Sequence, residues 1–367
     1  MSVFFKMPVQ VYEGDGCVVE NYKLFSSMGK KAMLVTGKNS AKVCGALDDT
    51  VKALELCGIE YDIFDKIMSN PTVEVVYEGA EAVKKSCADF IIGIGGGSPM
   101  DAAKAIGLLV KNEGISPEDY LAKKYVDDGL PLVLIPTTCG TGSEVTQYAV
   151  ITNDFLRTKS AVYGESTFAR LAFVDKRYLY AMKRETLVNT AFDAFTHNAE
   201  GYFSVKANYV SDKLAIHGMT LFSECISALK SGDVTEEIYD KLMKASVIGG
   251  MVIAHTGTVA VHSLGYSYTY FKGIDHGRAN AILFAEFLRF AQGILPERAS
   301  DVLGALGYGN VDELKASFAE LIGPVEPLTE DELKTFCDIG EIARSLKNSK
   351  ACPVRADIER IYRKASE

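Results

Sequence analysis

A carboxylate and an imidazole interrupt an otherwise apolar stretch, AFDAFTHNAE at residues 191–200. The apolar positions predict a buried helix, and the four-residue spacing of Asp193 and His197 puts both side chains on one face of it. Burying either group without a partner is costly in free energy. A helix with this sequence therefore needs a further group beside that face to satisfy the carboxylate and the imidazole.

Two other histidines are candidates for the same site. His262 follows the apolar run GTVAV, and His276 lies in GIDHGRANAI, just before a predicted helix. With Asp193 and His197 they make one carboxylate and three imidazoles, a set that suits Zn²⁺ or a first-row ion such as Fe²⁺. A buried histidine is more often a hydrogen-bonded core residue than a ligand. The spacing alone therefore leaves a metal site and a plain core as open alternatives.

The remaining two histidines have weaker claims. His217, in KLAIHGMTLF, is predicted to lie in the middle of a helix with a structural role. His255, in VIAHTGTVA, precedes His262 by seven residues and is a candidate for contact with a substrate at the same site.

A glycine-rich loop, GIGGGSPMDAAK at residues 93–104, lies where a strand ends and a helix begins. Gly95, Gly96 and Gly97 allow close approach to the backbone, and free N–H groups at a helix N-terminus favour a phosphate. The alternative is a plain helix cap with Ser98 at N-cap, followed by Pro99 at N1 and Asp101 at N3. Both can hold together. The loop matches neither the Rossmann fingerprint, whose third glycine would fall at Ser98, nor a P-loop.

A second loop of small polar residues, TTCGTGSE at 137–144, follows the strand PLVLIP. Loops at the carboxyl ends of neighbouring parallel strands face the same crevice, so this loop is a second candidate for ligand binding. A plain turn capped by Ser and Thr side chains is the alternative. Its hydroxyls come from Thr137, Thr138, Thr141 and Ser143.

Strands and helices alternate in the first half of the chain, which predicts a parallel α/β sheet covered on both faces. After Pro136 no proline occurs until Pro296, and the long stretches from about residue 180 onward have helical period. Thr329 and Glu332 form a predicted capping box. We therefore expect an α/β domain over residues 1–180 and a helical domain over 181–367. The predicted strands are 31–37, 61–64, 89–97 and 131–138, and the long predicted helices are 185–203, 208–230, 236–254, 278–292 and 330–346.

Composition excludes several classes of protein. Apolar residues make up 48% of the chain without a run of eighteen, so we expect no membrane span, and MSVFFKMPVQ lacks the pattern of a signal peptide. A net charge of -9 without a Lys/Arg stripe argues against a nucleic-acid partner. The eight cysteines contain no C-x-x-C pair, which favours reduced thiols in a cytoplasmic protein over disulfides or a cysteine zinc site.

Four segments in this order resemble one family, the iron-containing or group III alcohol dehydrogenases. They are GGGSPMDAAKA, IPTTCGTGSEVT, FDAFTHNAEGYFS and HSLGYSYTYFKGIDHG, and their spacing is similar to the family's over nearly the whole chain. Within the family the chain looks most like the branch of 1,3-propanediol and butanol dehydrogenases. The resemblance implies a dehydroquinate synthase-like architecture: a parallel dinucleotide-binding sheet, an all-α C-terminal domain, and an active site in the cleft between them.

The resemblance also implies roles for individual residues. Asp193, His197, His262 and His276 would bind a divalent metal, so that His262 and His276 would serve catalysis as well. Gly95, Gly96, Gly97 and Ser98 would bind the cofactor pyrophosphate. The residues that would border the ribose and nicotinamide are Asp101, Thr137, Thr138, Thr141, Ser143 and Lys159.

Two positions depart from the family pattern. Many members have an aspartate after the first strand that bonds the adenosine ribose and selects NAD, whereas this chain has Gly37. Gly37 with Lys38, Asn39 and Ser40 could accept a 2′-phosphate, so we predict a preference for NADP, with NAD as the alternative. Many members also have a second histidine four residues after the third ligand. Tyr266 stands there, which leaves His255 or a water chain as the proton route.

The predicted function is reversible hydride transfer between NADP(H) and a small primary alcohol, such as butanol or 1,3-propanediol, or its aldehyde. Fe²⁺ is the expected metal, with Zn²⁺ possible because the same ligands accept either. A homodimer or higher homo-oligomer is the default. A glycerol dehydrogenase or a sugar-phosphate cyclase on the same fold is the alternative, although residues 250–280 offer only Lys272 and Arg278 for a phosphorylated substrate. A non-catalytic metal- or nucleotide-binding protein is the least favoured.

Overall fold

The computed structural model describes residues 4–155 and 158–366. It contains two compact units. The α/β unit consists of Met7–Thr138 and Gly142–Met182. The helical unit consists of the chain up to Lys6, the short segment Cys139–Thr141 and everything from Lys183 onward.

A six-stranded parallel sheet forms the centre of the α/β unit. Its strands, in spatial order, are β1 (Gln10–Glu13), β8 (Leu171–Val174), β5 (Leu132–Pro136), β4 (Phe90–Gly95), β2 (Lys31–Thr36) and β3 (Glu60–Phe64). The predicted parallel sheet is confirmed. β4 and β5 are buried along their whole length, as a sheet covered on both faces requires. An antiparallel pair, β6 (Ala149–Asn153) and β7 (Thr158–Val162), forms a second small sheet.

Side chains alternate between the two faces of the main sheet and so contribute to two separate cores. Met33 and Leu134 pack with Ile106 in one core, whereas Leu34 and Ile92 belong to the other. The helices of this unit are α1 (Cys17–Glu20), α2 (Ser40–Val43), α3 (Ala46–Cys57), α4 (Val73–Ser86), α5 (Gly97–Val110) and α6 (Pro117–Leu121). Short 3₁₀ segments lie at Tyr22–Ser27, Ser143–Val145, Glu165–Thr167 and Lys176–Leu179.

The start of α5 differs from the prediction. Gly96, not Ser98, is the N-cap, and no side chain caps the helix, so the predicted Ser98 cap is wrong. Ser98 lies inside the first turn, where its Oγ accepts a hydrogen bond from the backbone N–H of Asn70, 3.2 Å away. The extended backbone of Gly96 ends the strand directly at the helix and leaves no position for a separate capping residue.

The helical unit is built around α7 (Arg184–Phe203), which is buried almost continuously from Leu187 onward. Phenylalanine rings pack together on the apolar side of α7. The ring centroids of Phe195 and Phe284 are 4.6 Å apart, and those of Phe192 and Phe318 are 4.8 Å apart. The other helices are α8 (Tyr209–Ser231), α9 (Glu236–Thr256), α10 (Ala260–Lys272), α11 (His276–Gln292), α12 (Pro296–Leu306), α13 (Val311–Ile322), α14 (Glu330–Glu341) and α15 (Arg355–Ala365).

The predicted capping box at the start of α14 is confirmed. Thr329 Oγ1 accepts from the N–H of Glu332 at 3.3 Å, and Glu332 Oε2 accepts from the N–H of Thr329 at 2.8 Å. The helix ends at Glu341 rather than at residue 346, and a separate 3₁₀ segment, Arg344–Asn348, follows it.

Among the described residues, no single helix combines the length and the apolar character needed to cross a membrane; α9 and α10 pass that test only as a pair, bent by 111°.

Candidate functional site

Helix α7 presents a buried polar face made of Asp193, His197 and Glu200, which are 5%, 6% and 0% exposed. Their spacing of four and then three residues places them on successive turns of one side of the helix. The Nδ1 atom of His197 lies 3.2 Å from the carbonyl oxygen of Gly140. A carbonyl can only accept, so Nδ1 carries the proton and the Nε2 lone pair of His197 is directed elsewhere.

Gly140 makes that contact possible because its backbone lies against α7. A Cβ atom at this position would lie 2.9 Å from the Cβ and from the carbonyl oxygen of Thr190. Only glycine therefore fits here without displacing the helix. The local sequence CGTG thus brings a backbone acceptor to a buried imidazole.

His262 lies in the first turn of α10, with Nδ1 against Glu200 Oε2 in a short contact. Its Nε2 atom is buried and has no hydrogen-bond partner among the described residues. Asp193 Oδ1 lies 3.6 Å from that nitrogen. His262 therefore directs an unsatisfied nitrogen towards the carboxylate of α7.

His276 is the first residue of α11, whereas the sequence placed it just before the helix. Its Nε2 atom lies 3.8 Å from Asp193 Oδ1. The ring of Tyr266 stacks on it, with centroids 5.0 Å apart and planes inclined by 17°. Asn280, one turn further along α11, donates to Asp193 Oδ1 at 3.4 Å.

Three of the four predicted metal ligands, Asp193, His262 and His276, thus form one group of donor atoms, and His197 lies beside Asp193. One donor atom each from Asp193, His262 and His276 lies within 4.8 Å of the others, and His197 Nε2 lies 4.0 Å from Asp193 Oδ1. A tetrahedral ion with bonds of about 2.0–2.2 Å separates its ligand atoms by roughly 3.4 Å. Separations of 3.6 to 4.0 Å are too long for hydrogen bonds and suit a shared cation. The donor set fits a divalent first-row metal.

Charges within this cluster act on one another. Burial opposes ionisation of Asp193, but the neighbouring imidazoles of His197, His262 and His276 outweigh it and lower the pKa of the carboxyl. Burial lowers the pKa of His197. For His262 burial acts in the same direction, yet Glu200 and Asp193 overcome it and raise the pKa to about 9. The carboxylate is ionised and surrounded by imidazoles, an arrangement that attracts a cation.

The structure does not bring His255 to this cluster. Its Nδ1 atom lies 2.7 Å from the carbonyl oxygen of Met251, and its Nε2 atom lies 2.9 Å from the backbone N and O atoms of Lys6. The ring also stacks on Phe5 with centroids 4.1 Å apart. The contacts described for His255 are thus with the start of the chain and with its own helix.

The two predicted nucleotide loops meet inside the α/β unit. A Cβ atom on Gly96 would lie 3.1 Å from Thr138 Cγ2, and the N–H of Thr137 donates to the carbonyl of Gly95 at 2.8 Å. Gly95 has a φ of 150°, which other residues rarely adopt, and a Cβ there would lie 2.6 Å from Pro99 Cγ. The loop after β4 therefore needs glycine both for its conformation and for its contact with the loop after β5.

A second buried polar cluster lies behind these loops. Asp101 accepts from Ser143 Oγ at 2.6 Å and from the N–H of Val150 at 2.9 Å. Lys104, fully buried, donates to Ser143 Oγ at 2.7 Å, to Thr146 Oγ1 at 3.2 Å and to a backbone carbonyl. Burial lowers the pKa of Lys104 to about 8 and raises that of Asp101. Two predicted cofactor residues, Asp101 and Ser143, thus belong to one hydrogen-bonded network.

The remaining predicted cofactor residues lie in three places. Lys159, on β7, donates to Asn70 Oδ1 at 2.8 Å, and the N–H of the same asparagine binds Ser98, so Asn70 links these two. Thr141 is half-buried and belongs to the helical unit. Gly37 follows β2 and is half-buried, while the three residues after it, Lys38, Asn39 and Ser40, are exposed.

Sequence reasoning missed several residues that organise the site. Glu200 had a detectable signal, because it lies seven residues after Asp193 on the same helical face. Asn70 precedes a proline, a pattern that is typical of a turn and gives no sign of a ligand site. Lys104 and Asn280 gave no signal, since their partners are distant in sequence: Lys104 contacts residues about forty positions away, and Asn280 contacts Asp193 87 positions away.

Two protein families together match most of the chain. Residues 8–176 match the family described as iron-containing alcohol dehydrogenase. Residues 187–363 match the C-terminal family of Fe-containing alcohol dehydrogenases.

Individual alcohol dehydrogenases are also similar to this chain. Alcohol dehydrogenase 4 of Schizosaccharomyces pombe is 35% identical over 76% of this chain and 66% of its own length. The NADPH-dependent butanol dehydrogenase of Clostridium saccharobutylicum is 29% identical over 84% of this chain and 79% of its own. A crystal structure of an iron-containing alcohol dehydrogenase from Thermotoga maritima superposes with a TM-score of 0.92 at 36% identity, covering 99% of each chain.

Proposed function

This chain belongs to the iron-containing alcohol dehydrogenase family, and we propose that it transfers a hydride between NADP(H) and a small primary alcohol or its aldehyde. The proposal assigns the metal to Asp193, His197, His262 and His276. Fe²⁺ is the proposed ion, and Zn²⁺ is the alternative that the same donors would accept.

One observation carries this proposal: the Nε2 atoms of three imidazoles lie 3.6 to 4.0 Å from a single carboxylate oxygen of Asp193. Three neutral imidazoles and one carboxylate bind first-row divalent ions well. The amide of Asn280 donates to the same carboxylate oxygen at 3.4 Å.

Asp193, His197, His262 and His276 would hold a divalent ion that would supply a Lewis acid for the oxygen of the alcohol or aldehyde, and a bound nicotinamide would supply the hydride acceptor or donor. The chain's own residues prepare these conditions. The lowered pKa of Asp193 supplies an ionised carboxylate. The carbonyl of Gly140 holds the ring of His197 in one orientation. Burial of His197 and His262 to 6% and 2% exposure limits the access of bulk water to their nitrogens.

The preference for NADP is proposed from the end of β2. Gly37 stands where a carboxylate would repel a 2′-phosphate, and Lys38, Asn39 and Ser40 are exposed beside it. The NADPH dependence of the clostridial butanol dehydrogenase is in keeping with this choice. Butanol and 1,3-propanediol are the proposed substrate types, with the corresponding aldehydes in the reverse direction.

We also propose that the protein is cytoplasmic and acts as a homodimer or higher homo-oligomer without a nucleic-acid or membrane partner. The net charge of -9 supports the absence of nucleic acid. All eight cysteines are free thiols, which supports a reducing compartment.

The test is the oxidation of NADPH with butyraldehyde by protein purified without oxygen, with elemental analysis before and after addition of Fe²⁺. We expect turnover that follows the metal content, and slower turnover with glycerol and NADP. Activity that is independent of bound metal, or a higher kcat/KM for glycerol than for butanol, would contradict the proposal.

The cofactor preference is tested separately with Gly37→Asp. The new carboxylate should reduce kcat/KM for NADPH relative to NADH by roughly tenfold or more, because it would repel the 2′-phosphate. Gly37→Ala is the matched control, since a Cβ atom here already lies 3.1 Å from the carbonyl oxygen of Ile67. A wild-type preference for NADH, or an equal shift in both variants, would defeat this part of the proposal.

A further inference from the structure

Glu200 is a fully buried carboxylate whose two oxygens contact the start of another helix. Oε1 accepts from the backbone N–H groups of Val259 at 3.2 Å, Val261 at 2.6 Å and His262 at 3.2 Å. Oε2 lies against Nδ1 of the His262 ring and 3.3 Å from the backbone nitrogen of the same residue. A single side chain of α7 thus binds both the backbone and the imidazole of a residue 62 positions away.

The backbone contacts explain how the carboxylate is buried. The first N–H groups of a helix have no partner within it, and the helix dipole favours negative charge at that end. α10 begins after Val259, which provides no side-chain cap of its own. The N–H groups that Glu200 accepts offset the cost of removing its charge from water. Its Oε1 is therefore occupied as a cap, whereas Oε2 is available to the imidazole.

The imidazole contact has a chemical consequence. A carboxylate oxygen accepts hydrogen bonds, so the proton of a neutral His262 ring lies on Nδ1, and Nε2 keeps its lone pair. Nε2 is the nitrogen 3.6 Å from Asp193 Oδ1. We propose that Glu200 is a positioning residue that sets the tautomer and orientation of His262 for metal binding. This inference rests on the metal site proposed above.

A purely structural role as the cap of α10 is the rival explanation, and Glu200→Gln separates the two. The amide can keep its oxygen on the backbone N–H groups, but it then presents an NH₂ donor to Nδ1. That donor favours the tautomer with the proton on Nε2, which cannot bind a metal through that atom. The substitution thus preserves size and capping while it reverses the polarity of the imidazole contact.

Asn348→Ala provides the matched control. Asn348 donates to the carbonyls of Thr256 at 2.6 Å and Thr258 at 3.0 Å, in the segment that leads into α10. Losing it weakens the same helix start without changing the group that faces the His262 ring. If Glu200 acted only as the cap of α10, Glu200→Gln and Asn348→Ala would have the same effect on the Kd for the metal.

The first measurement is the Kd of the metal-free proteins for Zn²⁺ and Co²⁺, in competition with a chelator. Glu200→Gln should raise the Kd by roughly 10- to 100-fold, and Asn348→Ala should leave it within about twofold. Equal Kd values for wild type and Glu200→Gln would overturn the proposal. Equal losses in Glu200→Gln and Asn348→Ala would also overturn it.

The second measurement is ¹⁵N NMR of histidine-labelled protein, which distinguishes the two tautomers of a neutral imidazole. At a pH above 9, where the metal-free His262 ring is neutral, the proton should lie on Nδ1 in wild type and on Nε2 in Glu200→Gln. The same tautomer in both proteins would overturn the proposal whatever the Kd values are. Wild-type protein that binds neither ion would refute the proposed function instead, and the tautomer measurement would still show whether Glu200 controls the ring.

Discussion

Two buried polar clusters, one in each unit, show how differently a fold can accommodate charge. The lysine cluster of the α/β unit consists of Lys104, Asp101, Ser143 and Thr146, with the carboxyl of Glu144 close enough to affect the pKa of Lys104. The imidazole cluster of the helical unit consists of Asp193, His197, His262 and His276. Lys104 has three ammonium protons, and the protein supplies three acceptors at 2.7 to 3.2 Å. The imidazole cluster instead places acceptor atoms opposite one another at 3.6 to 4.0 Å.

The difference indicates which cluster needs a ligand. A buried charge whose donors all have acceptors within the protein is part of the scaffold. A carboxylate oxygen and imidazole nitrogens that face each other beyond hydrogen-bonding distance leave a place for a cation, which is the basis of the proposed metal site. The lysine cluster should therefore act on stability, and the imidazole cluster should act on metal content and activity.

The largest effect is expected from His262→Ala in the imidazole cluster. Removing one nitrogen ligand should abolish stoichiometric metal binding and reduce kcat/KM by roughly 10³-fold or more, since the Lewis acid is lost. Elemental analysis and turnover should fall together while the circular dichroism spectrum keeps its helical form. Retained turnover in a metal-free variant would remove the distinction between the clusters.

Lys104→Met should affect stability instead. The substitution leaves Ser143 Oγ, Thr146 Oγ1 and the carbonyl of Tyr148 without their buried donor, so we expect a loss of about 3 kcal/mol in the free energy of unfolding. Metal content should stay at the wild-type value. Lys111→Met, at the exposed end of the same helix, is the control and should change stability little. Loss of metal from Lys104→Met would show that this cluster is more than scaffold.

Glu144 allows a finer test through pH. Burial raises the pKa of Glu144 from 4.5 to about 7, so between these values the folded protein binds more protons than the unfolded chain. The stability contributed by this group is therefore fully present below pH 4.5 and is lost as the pH rises towards 7. Relative to Glu144→Gln, the free energy of unfolding of wild type should fall by about 1–3 kcal/mol across that window. A constant difference between the two proteins from pH 4.5 to 8 would contradict this expectation.

The smallest effect is expected from His255→Ala. Both ring nitrogens of His255 contact the backbone of Lys6 and Met251, so its loss should cost about 1 kcal/mol of stability and leave the chemistry intact. The pH–rate profile should match that of wild type, with kcat within about twofold. If one limb of the pH–rate profile disappeared in His255→Ala, His255 would again be a candidate proton carrier. The residues that act in catalysis would then extend beyond the imidazole cluster.

Local patterns in the sequence determined most of the regular structure near the site. β2, β4 and β5 are largely apolar runs: β4 ends in glycine, β5 ends in proline, and Gly37 follows β2. α7, α8 and α9 have long stretches of helical period. The capping box at the start of α14 was predicted equally well, because Thr329 and Glu332 are only three positions apart. In each case the information lies within one element, where period and capping chemistry act over a few residues.

The tertiary structure decided what depends on distant partners. β1 and β8 are four-residue strands whose pairing joins Gln10 to Leu171, too short and too far apart in sequence for any pattern to reveal. Ser98 had the composition of an N-cap, but strand β4 leads directly into α5 through Gly96, and Ser98 binds Asn70 instead.

The same distinction between local patterns and distant contacts applies to the residues of the site. Residue types and spacing, with the family resemblance, named Asp193, His197, His262 and His276 from the sequence alone. Only the tertiary structure revealed the contact of Glu200 with His262 and the contact of Gly140 with His197. These pairs are 62 and 57 residues apart in the sequence. A ligand can be recognised by its own chemistry, whereas the group that orients a ligand is defined by proximity, which packing alone establishes.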